Sequence, residues 1–446
     1  MQKIDMAYFP RLCYNSGKHT KRSTRMADKI LPFSLAQARE IAKAFPTPFY
    51  LYDEAGIRRC VEGLQAAFAW NEGFREYFAV KAAPTPAILS LLKGLGCGVD
   101  CASMTELMLC ERLGFSGGQI MFSSNDTPGE EFEYARKLNA IVNLDDLSHV
   151  DFLEAHGGIP ETVCCRYNPG HFSLDKNAIM GNLQDSKFGM PKGQLLEALR
   201  RLKAKGARQF GLHAMLISCS LEEAYLPTLL AELLGLALEA REAAGVEIGF
   251  IDLSGGVGIP YRPEQAPINM AAVGKAARAV YQRLALPNGL KPRLYTELGR
   301  YITGPHGYLV TSVLHEKRTH KRYLGLDASA CDLMRPALYG AYHHMTILGK
   351  ENEPATELYD VTGPLCENND KFAVDRLLPP AEAGDLLVIH DAGAHGRSMG
   401  YNYNGKLRCG ELMLKEGGGV ALIRRAETPK DYFATLDFTG LFDGLS

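Results

Sequence analysis

The chain has 446 residues, of which 46% are hydrophobic and 22% charged, and its formal net charge is -2. This length accommodates two or three domains, or one large barrel with a smaller unit. Because the chain contains no long block of like charge, nothing attracts it electrostatically to nucleic acid or to an anionic membrane, and the expected partner is a small molecule.

The sequence contains no run of about 18 apolar residues, the length that a membrane span needs. Residues 1–25 have no hydrophobic stretch typical of a signal peptide, and the eleven cysteines show none of the Cys-x-x-Cys spacings of a structural zinc site. We therefore expect a cytoplasmic protein with reduced, mostly buried thiols. The basic patch at 18–25 is predicted to be a disordered tail, with Met26 as an alternative start.

Short β-rich runs alternate with helical patterns between residues 48 and 305. The predicted strands are 49–52, 77–80, 98–100, 120–122, 140–143, 163–167, 210–216, 250–253 and 293–296. Segments between them, such as 86–93, 103–113 and 221–242, carry apolar residues every three or four positions, as helices that cover a barrel do. Repeated β-then-α units predict parallel strands wrapped by helices, and a (β/α)8 barrel of the TIM type has about this number of units.

After Gly307 the pattern changes to strand-like runs separated by Gly, Pro and Asn turns. These runs are 308–315, 323–326, 356–361, 385–390 and 420–423. They predict a second, mainly β domain after the barrel.

The strand predicted at 77–80 delivers Lys81 to its C-terminal end, just before a Pro-containing turn. In a barrel, the C-terminal ends of the strands form the active-site face. A partly desolvated lysine there loses its proton more easily and can condense with the aldehyde of pyridoxal phosphate. The plainer interpretation is a solvated lysine at a strand edge.

A glycine-containing turn follows the strand predicted at 250–253. Gly255 and Gly256 would let backbone N–H groups approach a phosphate, although a tight turn without a ligand fits the pattern equally well. The segment is not a dinucleotide fingerprint, because the third glycine is missing and Pro260 stands where a helix would begin.

Glu297, Gly299 and Arg300 follow the strand predicted at 293–296. A carboxylate at this strand end can pair with the ring nitrogen of a cofactor. The Gly-Arg pair can hold a phosphate or a carboxylate by charge-assisted hydrogen bonds.

Five motifs occur in order along the chain. They are Ala-Val-Lys-Ala at 79–82, Ser-Gly-Gly at 254–256, Glu-Leu-Gly-Arg at 297–300, Asp-Leu-Met-Arg-Pro-Ala-Leu-Tyr-Gly-Ala-Tyr-His-His at 332–344, and Leu-Cys-Glu-Asn-Asn-Asp at 365–370. Together they resemble the diaminopimelate decarboxylases of lysine biosynthesis, which are pyridoxal-phosphate enzymes of the alanine-racemase-like fold. The resemblance extends from residue 45 to residue 438.

The resemblance implies a barrel over 47–305 that binds pyridoxal 5'-phosphate and a C-terminal β domain over 306–446. Residues 1–46 would form an N-terminal tail and a segment that joins the β domain. The resemblance also implies a homodimer whose active sites take residues from both subunits. The expected reaction is decarboxylation of meso-2,6-diaminopimelate at its D-configured centre to give L-lysine and carbon dioxide.

The same resemblance implies roles for the motif residues. Lys81 would bond the cofactor aldehyde, Glu297 would keep the pyridine nitrogen protonated, and Cys366 from the other subunit would protonate the substrate carbon. The other residues expected around the cofactor are Met215, Ser218, Gly255, Gly256, Gly299, Arg300 and His395. Those expected to bind the distal amino-acid head, whose carboxylate needs a cation and whose ammonium needs an anion, are Arg300, Arg335, Tyr339 and Glu367.

The chain departs from the family pattern beside the cofactor. The family strand reads His-x-His-Ile-Gly-Ser, and its second histidine stacks on the cofactor ring. Met215 takes that position here, and a thioether still makes a favourable contact with an aromatic ring. The family's Gly-Ala-Tyr is Gly-Ala-His in this chain, so the contact of that tyrosine would come from His395, Tyr401 or Tyr403.

Other interpretations stay open at this point. Arg335 can be an interdomain ion-pair residue and Cys366 a packed thiol. A decarboxylase or racemase acting on another amino acid is a second hypothesis, although racemases of this fold use a tyrosine base. A pyridoxal-phosphate-binding protein without catalysis is a third, and only Met215 and His395 favour it.

Histidines at 343, 344, 390 and 395 invite a metal interpretation. No carboxylate or cysteine recurs with them at helical ligand spacing, and the family resemblance accounts for the segments without a metal. We therefore predict no metal site.

Overall fold

The computed structural model describes residues 29–174 and 182–439. The tail and alternative start considered near residues 18–26 lie outside these ranges, as do residues 440–446 at the end of the β domain. Within the described ranges the chain forms a closed barrel and a nine-stranded sheet.

The described chain begins with an extended segment, helix α1 (Leu35–Ala44) and strand β1 (Phe49–Asp53). Ser34 starts the helix: its hydroxyl accepts from the backbone N–H of Gln37 at 3.3 Å, and the Gln37 side chain accepts from the N–H of Ser34 at 2.9 Å. This reciprocal pair satisfies two donors that the first helical turn leaves free.

Eight parallel strands then close into the barrel, each paired with its sequence neighbours, and the last returns to the first at Arg75 and Tyr295. They are Arg75–Ala79 (β2), Gly98–Cys101 (β3), Ile120–Phe122 (β4), Ile141–Leu144 (β5), Thr162–Arg166 (β6), Gln209–His213 (β7), Ile248–Asp252 (β8) and Arg293–Thr296 (β9). The predicted TIM-type barrel is confirmed.

Helices alternate with these strands. They are Glu54–Phe68 (α2), Pro86–Gly94 (α3), Met104–Arg112 (α4), Gly129–Lys137 (α5), His149–Ala155 (α6), Lys192–Ala204 (α7), Tyr225–Glu239 (α8), Met270–Leu284 (α9) and the short Gly299–Thr303 (α10). Their buried positions recur every three or four residues, which is why the helical pattern was visible in the sequence.

A layer of large side chains is buried together inside the barrel. It consists of Tyr77, Met121, Ile141, Cys164, Phe250 and Tyr295. The rings of Tyr77 and Tyr295 meet edge to face at 5.0 Å, and Gly211 is required beside them because a Cβ there would lie 2.0 Å from the Phe250 ring. This layer closes the interior below the strand ends that carry Lys81 and Glu297.

The remaining strands form the predicted β domain, which is confirmed. They are Gly307–Arg318 (β10), Arg322–Leu326 (β11), Met345–Ile347 (β12), Glu357–Thr362 (β13), Lys371–Leu378 (β14), Leu386–Ile389 (β15), Gly410–Leu414 (β16) and Val420–Arg424 (β17), with helices Arg335–Tyr339 (α11) and Pro429–Phe433 (α12). The sheet order is β14-β13-β11-β10-β1-β16-β17, and β15 pairs with β10 and β12. The sequence interpretation had missed β12, β14 and β16.

The assignment of the first predicted strand to the barrel was wrong. The run at 49–52 is β1, which pairs antiparallel with β10 and parallel with β16 in the sheet of the β domain. All five residues of β1 are buried, because Phe49 and Leu51 pack in the cluster that contains α1 while Tyr50 and Tyr52 join the main core. A strand buried on both faces shows no polar alternation, so its pattern matches a barrel strand. The first barrel strand is β2, well beyond the boundary expected at 47.

Candidate active site

A cavity opens at the C-terminal ends of the barrel strands, where Lys81 follows β2, Met215 and Ser218 follow β7, and the glycine turn follows β8. Its lining brings together residues predicted for the cofactor site: Lys81, Met215, Ser218, Gly255, Gly256, Glu297, Gly299, Arg300 and His395. A larger groove lies on the β domain beside Lys29 and Lys350, but it is away from the strand ends, where barrel enzymes hold their chemistry.

Lys81 projects into the cavity from a short turn of 3-10 helix, Val80–Ala82, and 57% of its side chain is exposed there. Its Nζ lies 3.6 Å from Asp100 Oδ2, at the end of β3. Desolvation alone would lower the pKa of Lys81, but the carboxylates of Asp100 and Glu297 outweigh it and raise that pKa. Burial, and then the charge of Glu297, raise the pKa of Asp100 to about 8. The amine is therefore held as an ammonium beside the Asp100 carboxyl.

Glu297 lines the cavity with one carboxylate oxygen that accepts hydrogen bonds and one that does not. Its Oε2 accepts from Ser254 Oγ at 2.7 Å and from His213 Nε2 at 3.3 Å, while the buried Oε1 has no partner among the described residues. Burial alone would raise the pKa of Glu297, but His213, Lys81 and Ser254 together hold it well below its usual range. The free Oε1 of this anion can accept a hydrogen bond from the protonated ring nitrogen of a cofactor.

The glycine turn permits close approach of the backbone to a ligand. A Cβ at Gly255 would lie 2.9 Å from the carbonyl oxygen of Glu297, and one at Gly256, where φ is +95°, would lie 2.4 Å from that of Ile217. A Cβ at Gly299 would lie 2.7 Å from Ala82 Cβ. Side chains at these positions would displace backbone or fill the cavity, so the turn can present its amides to a phosphate.

Two guanidinium groups flank the cavity. Arg300 Nη1 donates to Tyr261 Oη at 2.5 Å, and Arg335, only 5% exposed, sits with its Cζ 5.5 Å from the same ring. Within the described ranges neither forms an ion pair with a carboxylate, and Arg335 Nε has no hydrogen-bond partner. Burial, and the nearby Arg300, lower the pKa of Arg335. An unpaired buried guanidinium is costly, so this pair is suited to an anionic ligand.

Met215 and His395 occupy the positions at which the chain departs from the family pattern. Met215 Sδ lies 3.5 Å from Ser254 Oγ, so the thioether lies beside the serine that donates to Glu297. His395 has φ +55°, and its N–H donates to the carbonyl of Ala82, next to Lys81. Burial, followed by the charges of Arg300 and Lys81, lowers the pKa of His395 well below its usual value, so the imidazole is neutral.

Three predicted residues are exposed and do not line the cavity within a single chain. Tyr339 is 53% exposed on α11, with its ring 6.0 Å from the Cζ of Arg335. Cys366 and Glu367 are exposed on the loop before β14, where the N–H of Cys366 donates to Asn404 Oδ1 at 2.7 Å. The structure thus gathers the residues predicted for the cofactor and leaves the expected acid at the surface.

Sequence reasoning missed several residues that the fold brings to the site. Asp100 is the last but one residue of β3, Cys219 lies beside Ser218, and Tyr261 follows the glycine turn. Position at the C-terminal end of a barrel strand was the available signal for Asp100, whereas nothing in the local pattern marks Tyr261. Among residues 29–174 and 182–439, no three His, Cys, Asp or Glu side chains cluster as metal ligands. In the same ranges no helix is both long enough and apolar enough to cross a bilayer.

A parallel barrel with a strand-end lysine, a buried carboxylate and a glycine turn defines the class of pyridoxal-phosphate enzymes built on this barrel. Residues 55–304 match the family model of the pyridoxal-binding domain of pyridoxal-dependent decarboxylases. The chain belongs to the pyridoxal-dependent decarboxylase family, and its cofactor is pyridoxal phosphate.

Similar proteins include protein TabA and several diaminopimelate decarboxylases. Protein TabA of Pseudomonas amygdali pv. tabaci is 46% identical over 395 residues, covering 88% of this chain and 92% of that protein. The diaminopimelate decarboxylase of Methanothermobacter thermautotrophicus is 33% identical, covering 89% and 93%. The crystal structure of diaminopimelate decarboxylase from M. jannaschii in co-complex with L-lysine superposes with a TM-score of 0.83 at 30% identity, covering 90% and 94%.

Proposed function

We propose that this decarboxylase acts on meso-2,6-diaminopimelate, releasing carbon dioxide from the D-configured centre and leaving L-lysine. The observation that carries the proposal is the pair of guanidinium groups of Arg300, which is partly buried, and Arg335, which is buried; neither has a carboxylate partner in the described chain. Diaminopimelate has a second amino-acid head whose carboxylate would supply the missing charge. The diaminopimelate decarboxylases at 30–35% identity are consistent with this substrate.

The cavity residues fit the cofactor, which when bound supplies a ring that accepts the electron pair left by carbon dioxide. Lys81 would hold the cofactor through its aldehyde carbon once its amine has given up its proton. Glu297 Oε1, the orphaned buried oxygen, would hold a proton on the ring nitrogen. The amides of Gly255 and Gly256 would hold the phosphate, and Met215 would lie against the ring.

The proton donor to the reacting carbon would come from a second copy of the chain. Cys366 and Glu367 are exposed and outside the cavity of their own chain. Exposed apolar side chains on the same domain, among them Leu338 at 54% and Val374 at 56%, give a surface that a second copy can cover. In the proposed homodimer, Cys366 of one subunit protonates the carbon in the other subunit's site and Glu367 binds the distal ammonium.

A second candidate is decarboxylation of another amino acid that carries a distal carboxylate. It is favoured by the 46% identity to TabA, whose name states no substrate, and by the neutral His395 in place of the family tyrosine. Both candidates use Arg335 in the same way. Retention of Lys81, Glu297 and Arg300 in one cavity weighs against a protein that binds the cofactor without catalysis. The cytoplasmic location stays a prediction.

A comparison of three substrates tests the proposal. D-Lysine is meso-diaminopimelate without the distal carboxylate, and D-2-aminopimelate is the same molecule without the distal amine. With cofactor-loaded protein, carbon dioxide release from meso-diaminopimelate should exceed that from D-lysine by roughly 10² or more, because the guanidinium pair is then left uncompensated. Equal rates on meso-diaminopimelate and D-lysine would overturn the proposal, because they would show that the enzyme does not recognise the distal head. A faster reaction of D-2-aminopimelate would favour the second candidate.

A further inference from the structure

Tyr261 lies next to both guanidinium groups of the site. It belongs to the loop between β8 and α9, five residues after the glycine turn, and is 9% exposed. Its hydroxyl accepts from Arg300 Nη1 at 2.5 Å. Its ring centroid lies 5.9 Å from the Cζ of Arg300 and 5.5 Å from that of Arg335. One barrel side chain therefore contacts both cations, of which Arg335 comes from the β domain.

The ring of Tyr261 is itself fixed from the β domain. The imidazole of His343, fully buried, meets it edge to face at 5.1 Å. His343 Nδ1 donates in turn to the carbonyl of His390 at 2.8 Å. The tyrosine is thus held by packing on one side and by Arg300 on the other, which leaves little freedom for its ring.

Burial lowers the pKa of Arg335, and repulsion by the like charge of Arg300 lowers it further. An aromatic face attracts a cation, and a hydroxyl oxygen accepts from one, so Tyr261 opposes that repulsion in both ways. The hydroxyl that accepts from Arg300 also keeps its own proton, for which no acceptor is found in the described parts of the chain. That proton can be donated to an anion held by the two guanidinium groups.

We propose that Tyr261 is a positioning residue for the distal carboxylate of the substrate: it holds Arg300 and Arg335 convergent on one carboxylate and adds a hydroxyl donor to it. This inference rests on the proposed function, since it assigns a further residue to the same distal head. It makes the anion site a joint product of the barrel loop and the β domain.

The test uses two ligands that differ only in the distal carboxylate. L-Lysine, the expected product, keeps that carboxylate, and 1,5-diaminopentane is L-lysine without it. Dissociation constants of both are measured with cofactor-loaded dimer, by calorimetry or by the change in the cofactor absorption band. Tyr261→Phe keeps the ring and removes the hydroxyl, whereas Tyr261→Leu removes both. Tyr281→Phe is the matched control, because Tyr281 is equally buried and its hydroxyl donates to the carbonyl of Pro292 away from the site.

We expect Tyr261→Phe to weaken L-lysine binding roughly ten-fold and Tyr261→Leu up to about hundred-fold, the range of a charge-assisted hydrogen bond, with little change for 1,5-diaminopentane. Tyr281→Phe should match the wild type with both ligands. Equal weakening of both ligands in the Tyr261 variants would reduce Tyr261 to a structural role and overturn the inference. If the wild type binds L-lysine and 1,5-diaminopentane equally well, the site does not recognise the distal carboxylate. That result would overturn the proposed substrate and, with it, the role of Tyr261.

Discussion

Lys81 Nζ lies 3.6 Å from Asp100 Oδ2, and the two residues stand at the ends of neighbouring barrel strands. The register of β2 and β3 pairs Ala79 with Asp100, so the strand pairing itself sets this contact. Desolvation alone would lower the pKa of the lysine, but the charges of Asp100 and Glu297 outweigh it and raise that pKa.

Lys81→Ala should abolish both the visible absorption band of lysine-bound cofactor and carbon dioxide release, because the described lining of the cavity includes no second lysine. Absorption spectra after incubation with pyridoxal phosphate provide the measurement. Lys317→Ala, at an exposed position of β10, is the control and should keep the band. A normal band in Lys81→Ala would remove this lysine from its role.

Cys366→Ala should keep the cofactor band yet lose about 10²- to 10⁴-fold in turnover, the usual contribution of a general acid. Cys60→Ala changes a thiol on α2 that donates to the Tyr301 carbonyl, and should stay active. Unchanged activity of Cys366→Ala would show that another group delivers the proton.

Mixing Lys81→Ala with Cys366→Ala protomers tests whether the site is shared. A hybrid dimer contains one site with both residues intact, so equal mixing should restore about a quarter of wild-type activity if subunits exchange freely. Native mass spectrometry confirms that hybrids form. Hybrids without activity would confine each site to a single chain.

Arg335→Leu should lower turnover of meso-diaminopimelate by roughly 10² or more while leaving the cofactor band and the slow reaction of D-lysine unchanged. The reason is that the variant removes the cation for the distal carboxylate without touching Lys81 or Glu297. Arg335→Lys keeps the charge but loses the two-pronged geometry, so its activity should fall between the two. An equal loss on both substrates would indicate general damage to the site.

Lys29 joins three parts of the fold: its Nζ donates to Asp391 Oδ2 at 2.6 Å and to the carbonyl of Pro260 at 2.5 Å. Burial raises the pKa of Asp391 to about 6, with Lys29 opposing the rise. Since the folded pKa lies above the unfolded value of about 3.8, stability from this carboxyl is present at low pH and is lost as pH rises toward 6.

Lys29→Met leaves the Asp391 charge unpaired, so it should cost about 3 kcal/mol of unfolding free energy at pH 8 and clearly less at pH 5, where the carboxyl takes up a proton. Burial, and then Lys29, hold the pKa of His344 to about 4, so that neighbour is neutral at both values in the wild type. Denaturant unfolding at the two pH values gives the comparison. In an Asp391→Asn background the pH difference should vanish, and its persistence would refute the assignment to this pair.

The sequence allowed prediction of the barrel and of the residues that line its cavity because both depend on local order. Strand ends recur with the β-then-α period, and Lys81, the glycine turn and Glu297 each follow a strand directly. The membership of β1 in the β domain could not be predicted. Because β1 is buried on both faces, it lacks the alternation of polar and apolar residues that would distinguish it from a barrel strand.

The positions of residues that are fixed by contact between the two domains also could not be predicted from the sequence. Tyr261 acquires its place only when α11 and the segment around His343 pack over the loop after β8. Its neighbours in sequence are ordinary loop residues, and nothing in their pattern predicts two guanidinium contacts. Cys366 was recognisable by resemblance alone, and only in the proposed homodimer would it reach Lys81, from a second chain.

The most direct test of the account is to incubate cofactor-loaded protein with meso-2,6-diaminopimelate and to quantify both products with their configuration. We expect L-lysine and carbon dioxide in equal amounts, no product from the LL isomer, which lacks a D-configured centre, and none with Lys81→Ala. Absence of lysine from protein that shows a normal cofactor band, or equal turnover of L-ornithine, would contradict it.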